Sequence, residues 1–314
     1  MAAGSNLFLY GYGIKQYIIL QMHYGHAQSW FALVSTMADL RTTFLYFFPI
    51  WFHLQSAVGV KLVWVAVVGD WLNLVLKWLM FGERPYWWVK ETVYYGNLTT
   101  GPGSPSGHAM GAAGVYYAML TSLLTVLQEC DPLKRWCLQG LLWALFWGVQ
   151  VCVSVSRVFI AAHFPHQVIA GVVSGIAVAK AFNRVSWIYS ASLKSYVHTI
   201  LSLVFIVLGL YALLDAASID PYWSLMKAQK WCIQPEWVHL GHHTLSLASS
   251  ATPGSSATLP LLSLLDSFRP PTSTRALFYT LSFWKSATVP LTTISFVPYC
   301  ISTLANVYHR MKAY

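Results

Sequence analysis

The chain has 314 residues, of which 56% are hydrophobic, 16% aromatic and only 9% charged. Soluble domains carry about 25% charged residues, so this composition, with a mean hydropathy of +0.53, excludes an ordinary aqueous protein and makes the lipid bilayer the first partner. The formal net charge of +9 does not imply a nucleic-acid partner, because Lys and Arg stand at the ends of apolar segments, where they set membrane orientation.

The N-terminus shows no basic region followed by a cleavable apolar stretch, so no signal peptide is expected. A spanning helix needs about 20 mostly apolar residues. Six stretches meet that standard, at Trp30–Phe52, Val58–Met80, Ala109–Leu127, Leu138–Ser156, Val168–Phe182 and Tyr196–Leu214. The fifth is long enough only if Pro165 to Gln167 form its first turn. A seventh, Leu277–Leu304, is interrupted by Lys285, Pro290 and Pro298. Helices satisfy their own backbone in lipid and no alternating barrel pattern occurs, so the expectation is an all-α, polytopic transmembrane helix bundle of about seven spans. The expected organisation is a membrane-embedded domain over residues 1–240 with its core at about 58–182. A low-complexity loop at 241–263 and a C-terminal span and tail at 264–314 follow.

Orientation rests on two clues. Lys134, Arg135, Lys180, Arg184 and Lys194 crowd the loops after spans three and five, which favours the cytoplasm for those loops. The opposite face holds Asn97-Leu98-Thr99, a glycosylation acceptor used only in the lumen. Five cysteines without a CxxC pair give neither a disulfide framework nor a zinc site, and no carboxylate cluster suggests a metal.

Three clusters carry chemistry: Lys77-x6-Arg84-Pro85, Pro105-Ser106-Gly107-His108 and Ser156-Arg157-x5-His163. The first ends span two, the second opens span three, Arg157 closes span four and His163 precedes span five. A chain that weaves up and down brings them all to one membrane face. Lys77 and Arg84, seven apart, are expected on one helical face. Arg offers a planar fork to phosphate oxygens and Lys a point charge. The run Gly101 to Gly107 is expected as a flexible loop that opens a helix, whose N–H groups and dipole favour an anion. Pro165 biases Phe164 away from helix and leaves His163 in the turn. Lys77 taken alone is an ordinary snorkelling residue; two His and two Arg on one face favour function. Asp39, Arg41 and Asp70 lie within apolar stretches, so partners are expected, in structural ion pairs ahead of a catalytic role. His239, His242 and His243 are expected in solvent, and Tyr86-Trp87-Trp88 in an aromatic belt.

In this order the clusters resemble the signature of the acid phosphatase superfamily that includes phosphatidate phosphatases and vanadium haloperoxidases. Further runs are similar to the glucose-6-phosphatase catalytic subunit family: Gly69-Asp70-Trp71-Leu72-Asn73, Arg84 to Val89, Thr100 to Gly111, Ala161 to Gln167 and Gln234 to His239. The likeness runs from about Gln28 to His239, resumes from Leu264 to Cys300, and is closest to the liver type. It implies a nucleophilic His163 that forms a phosphohistidine, and His108 as proton donor. Arg84, Arg157 and Lys77 would hold phosphate, helped by Ser106 and Gly107, with no cofactor. It also implies glucose-6-phosphate as substrate, at the end of gluconeogenesis and glycogenolysis, a lumenal site in the endoplasmic reticulum, and a separate glucose-6-phosphate transporter. A lipid phosphate phosphatase and an inactive scaffold are the competing readings. Three departures stand out. Gln167 replaces the Asp that orients the nucleophile in much of the superfamily, the loop at Asn97–Thr100 is shorter, and the family pattern has nine spans.

Overall fold

A computed structural model describes residues 2–39, 42–87, 101–129, 131–219, 223, 224, 226 and 227. It divides into two compact units, one of residues 1–186 with 219–242 and the other of residues 187–218 with 243–314. Among the described residues every regular element is helical, as the composition requires. Five helices are long and apolar enough to cross a membrane, at Ser56–Trp87, Gly107–Glu129, Pro132–Phe159, Pro165–Phe182 and Lys194–Ala216. These are the second to sixth expected spans. The seventh, at 277–304, lies outside the described residues, as do Asn97, Arg41, His239, His242 and His243.

The first unit contains α1 (Ala2–Tyr24), α2 (Gln28–Met37), α3 (Phe48–Leu54), α4 (Ser56–Met80), α5 (Gly107–Val126), α6 (Pro132–Phe159) and α7 (Pro165–Phe182). The second contains α8 (Leu193–Ala216), whose N-cap Ser192 accepts the Ser195 N–H. Two expectations need correction. The stretch Trp30–Phe52 is not one helix: α2 stops at Met37 and Ala38–Asp39 form a turn. A short π-helical run at Thr43–Phe47 then leads into α3. The Thr36 carbonyl at the end of α2 accepts from both the Asp39 N–H at 3.1 Å and Thr42 Oγ1 at 2.9 Å, so an acceptor that the helix no longer uses is satisfied. The expected aromatic belt is also wrong for two of its members. Tyr86 and Trp87 are buried, in a cluster with Tyr17 of α1, Ala109, Val158 and Val168, and Trp223 packs edge-on to Trp87.

Proline and glycine set the frame of the core. Pro132 and Pro165 each occupy the first turn of their helix, where a missing N–H costs nothing. Starting at Pro165, α7 gains the turn it needed. Helix α5 packs most extensively on α7, then on α4. The α5–α7 contact is a line of small residues. A Cβ on Gly171 would lie 2.6 Å from the Ser106 carbonyl oxygen, and one on Gly175 would lie 2.9 Å from Gly114 N and run into the Met110 carbonyl. In lipid, where apolar surface gives no drive to associate, such close backbone approach is what holds helices together. Large side chains point the other way: Leu141, Leu145, Trp147 and Val151 of α6 are exposed while Phe146, Val153 and Arg157 are buried. At the far end of the bundle Lys61 Nζ donates to Ser122 Oγ at 3.4 Å and Asn183 Oδ1 at 3.3 Å, tying α4, α5 and the end of α7.

Candidate active site

The alternating helices bring the three clusters to one end of the first unit, as the weaving argument requires. Helix α4 does not carry both of its cations, however. It ends at Met80, and Phe81 takes left-handed backbone with φ 46°, so Arg84 lies beyond the helix rather than on a shared face with Lys77. The two still converge on the site: Arg84 Nη1 bonds the carbonyl of Ala162, next to His163, and a Cβ on Gly107 would lie 3.9 Å from Lys77 Nζ.

His163 lies in the short connection between α6 and α7. Ile160 closes α6, Ala161 turns the chain with φ 53°, and Phe164 is extended before Pro165. A left-handed alanine stores strain, and it sits beside the one histidine that must leave both helices. The His163 side chain is 3% exposed. Its Nδ1 is 2.7 Å from the Gly103 carbonyl oxygen. A carbonyl can only accept, so Nδ1 carries the hydrogen and the neutral ring keeps its lone pair on Nε2. Burial, then the charges of Arg84, Arg157 and Lys77, hold this imidazole well below the ordinary histidine range, against the opposing pull of the Gly103 bond.

Gly103 therefore supplies the orienting group that the Gln167 departure left open. Its position is fixed from several sides. Gly103 N donates to the Gly82 carbonyl at 2.7 Å, and a Cβ here would lie 2.5 Å from the Glu83 carbonyl oxygen and 2.8 Å from Gln167 Oε1. Gln167 is wholly buried. Its Nε2 donates to the Glu83 carbonyl at 2.6 Å, and its Oε1 accepts the Phe164 N–H at 3.2 Å. Its own carbonyl accepts from Ser106 N at 3.0 Å. One side chain thus caps α7 and braces the loop that holds His163. Glu83 is further held by an ion pair with Lys227.

Arg84 is buried and spans the same loops. Nε donates to the Gly101 carbonyl at 2.6 Å, Nη2 to Pro102 at 3.3 Å and Nη1 to Ala162 at 3.0 Å. The glycine-proline run is consequently a pinned loop and not the flexible one expected. Guanidinium has five N–H donors, and among the described residues Arg84 uses three of them in these bonds. Arg157 Nη1 donates to Ser35 Oγ at 2.6 Å, while its buried Nε has no hydrogen-bond partner among the described residues.

Ser106 is the N-cap of α5, yet its buried hydroxyl caps nothing and has no partner among the described residues. Gly107 opens the helix, and a Cβ there would be 3.1 Å from Asn73 Oδ1 and 3.9 Å from Lys77 Nζ. Asn73 Nδ2 in turn donates to the Pro105 carbonyl at 3.2 Å. The N-terminus of α5, the Ser106 hydroxyl and Arg157 Nε, the last two without a partner among the described residues, and the Lys77 ammonium form a donor set suited to a tetrahedral oxyanion. His108, on the first turn of α5, sits half-open with Nε2 3.8 Å from Asp39 Oδ2. Lys77, Arg84, Ser106, Gly107, Arg157 and His163 lie together here, and His108 follows Gly107 in the first turn of α5, against Asp39. The sequence reading missed Gly103, Asn73, Ser35 and Asp39 as contributors. The available signals were a glycine with no room for a side chain and a carboxylate inside an apolar stretch.

Comparison with known proteins follows the same lines. The PAP2 superfamily matches residues 58–190. Glucose-6-phosphatase catalytic subunit 1 of dog is 48% identical over 341 aligned residues, covering 94% of this chain and 95% of its own. The mouse protein of the same name is 46% identical over 355, covering 99% of each. Human Glucose-6-phosphatase 2 is 39% identical over 347, covering 95% and 97%. These alignments are longer than the 314-residue chain, so the relatives carry stretches that it lacks. No solved structure matches. The chain belongs to the glucose-6-phosphatase family of the PAP2 superfamily.

Proposed function

We propose that this protein hydrolyses glucose-6-phosphate to glucose and phosphate in two displacements at His163. In the first, the Nε2 lone pair attacks phosphorus, the bond from phosphorus to the sugar oxygen breaks, and His108 gives that oxygen its proton. In the second, water attacks the phosphohistidine while His108 takes back a proton, releasing phosphate and restoring both rings. Arg84, Arg157, Lys77, Ser106 and the Gly107 N–H hold the phosphoryl oxygens as charge redistributes. Such positioning supplies most of the catalysis in phosphoryl transfer. The observation that carries this reading is the 2.7 Å bond from His163 Nδ1 to Gly103, which leaves Nε2 as a neutral nucleophile among cations. The names of the relatives supply the substrate.

On this reading the site faces the lumen of the endoplasmic reticulum, opposite the basic loops at 134–135 and 180–194 and on the same side as Asn97. A doubly charged sugar phosphate does not cross lipid unaided, so a separate glucose-6-phosphate transporter delivers it. The test is labelling with 32P-glucose-6-phosphate. Wild type is expected to form an acid-labile phosphoenzyme and His163→Ala none; covalent label persisting in the variant overturns the assignment. Turnover that rises when microsomes are opened by detergent supports a lumenal site, and equal turnover before and after opening overturns it.

A further inference from the structure

Helix α2 reaches the site although it carries none of the three motif clusters and precedes the stretch matched by the superfamily. Ser35, in its last turn, accepts the Arg157 hydrogen bond at 2.6 Å. Asp39, in the turn just beyond, lies 3.8 Å from His108 Nε2. Two residues four apart therefore address two different motifs, one on α6 and one on α5. The turn is built for this: Asp39 N donates to the Thr36 carbonyl at 3.1 Å, and its own carbonyl accepts from Thr42 N at 3.0 Å. A carboxylate placed in an apolar stretch is costly and needs a reason. His108 and Asp39 side chains are 23% and 30% exposed, open enough to meet a substrate and close enough to act on each other.

We propose that Asp39 is the positioning residue for the proton donor His108. Its carboxylate holds the ring toward the leaving oxygen and offsets the positive charge that the ring bears before it gives up its proton. When the bond from phosphorus to oxygen breaks, the electron pair stays on oxygen, the proton passes to it from His108, and Asp39 keeps its charge throughout. The inference rests on His108 acting as the donor.

The experiment compares two substrates that need the proton to different degrees. An alkyl phosphate such as glucose-6-phosphate leaves as an alkoxide and requires it; p-nitrophenyl phosphate leaves as a stable phenolate and does not. General acid catalysis is worth roughly 10²–10⁴-fold, and Asp39→Asn is expected to remove roughly 10- to 100-fold of it from kcat for the alkyl phosphate. KM should stay near the wild-type value, and turnover of p-nitrophenyl phosphate should fall less than about threefold. Asp39→Glu, which keeps the charge, should preserve the wild-type ratio of the two rates. It carries the test if the asparagine variant does not fold in detergent. Equal losses on both substrates by a folded variant, an unchanged kcat, or a rise in KM alone would each overturn the role. Any alkyl phosphate that wild type hydrolyses will serve, so failure of wild type on glucose-6-phosphate sinks the proposed substrate and leaves the Asp39 comparison readable.

Discussion

Burial and three positive neighbours act on His163 in one direction, and a single carbonyl acts in the other. The result has a consequence for stability that is separate from catalysis. An unfolded histidine titrates near pH 6.5. Below that pH the unfolded chain takes up a proton that the folded site refuses, so stability falls as pH falls, by at most about 1.4 kcal/mol per unit. The loss ends once the depressed folded value is passed. His163→Asn should therefore flatten the decline of melting temperature in detergent between pH 6.5 and 5; parallel curves would show that other groups govern it. Gly103 bears on the same ring through its backbone. In Gly103→Ala the new methyl would have to displace the Glu83 carbonyl or Gln167, and the carbonyl that orients Nδ1 moves with it. Small misplacements of reacting groups cost about 10²-fold, so kcat should fall by that order while overpacking costs about 1–3 kcal/mol of stability. A variant with wild-type kcat would mean that the tautomer of His163 is set elsewhere.

At the scale of elements, the bundle is held where side chains are absent. Gly171 and Gly175 let α7 lie against Ser106, Met110 and Gly114 of α5, and the two helices begin at the two histidine-bearing turns. Gly175→Leu should therefore destabilise the protein by at least about 1–3 kcal/mol and abolish turnover. Gly140→Ala and Gly148→Ala on α6, where an added Cβ meets nothing within 4 Å, should leave both unchanged. Thermal melting in detergent separates the two sets. Helix α1 is a further element that hydropathy did not announce, because Gly11, Gly13, Lys15, Gln16 and Gln21 interrupt its apolar pattern. It is tied by specific contacts to the end of α6 and to the turn that holds His163. A Cβ on Gly13 would lie 2.5 Å from Phe164 Cδ1, and Gln21 Nε2 donates to the Phe159 carbonyl at 2.7 Å.

For the molecule as a whole, what could be read in advance was what depends on residue type and on the alternation of spans. Lys77, Arg84, His108, Arg157 and His163 had to meet because apolar stretches of spanning length separate them, and Pro165 had to free His163 because proline cannot continue a helix through Phe164. Contacts made by backbone atoms left no such trace. Gly103 offers only a carbonyl, and any residue has one; its lack of a side chain becomes informative only once Glu83 and Gln167 are seen against it. Asp39 was expected to have an ionic partner and has one in His108; which partner was not legible, because hydropathy carried one span straight through a residue that lies in a turn beyond the end of α2. Arg84 and Lys77 were expected on one helix because their spacing of seven fits two turns; the left-handed Phe81 interrupts that register yet keeps both near His163.

The glycine contact between α5 and α7 also bears on how the enzyme senses its membrane. Helices joined through side chains can slide or tilt when a thicker or thinner bilayer demands it. Here the Ser106 and Met110 carbonyls rest directly on Gly171 and Gly175, so these two helices have to adjust as one rigid pair. The turns that carry His108 and His163 should then keep their spacing as the bilayer thickens, leaving α6, with its large apolar side chains exposed, to take up mismatch; turnover that changes steeply with acyl-chain length in reconstituted vesicles would show that the pair flexes.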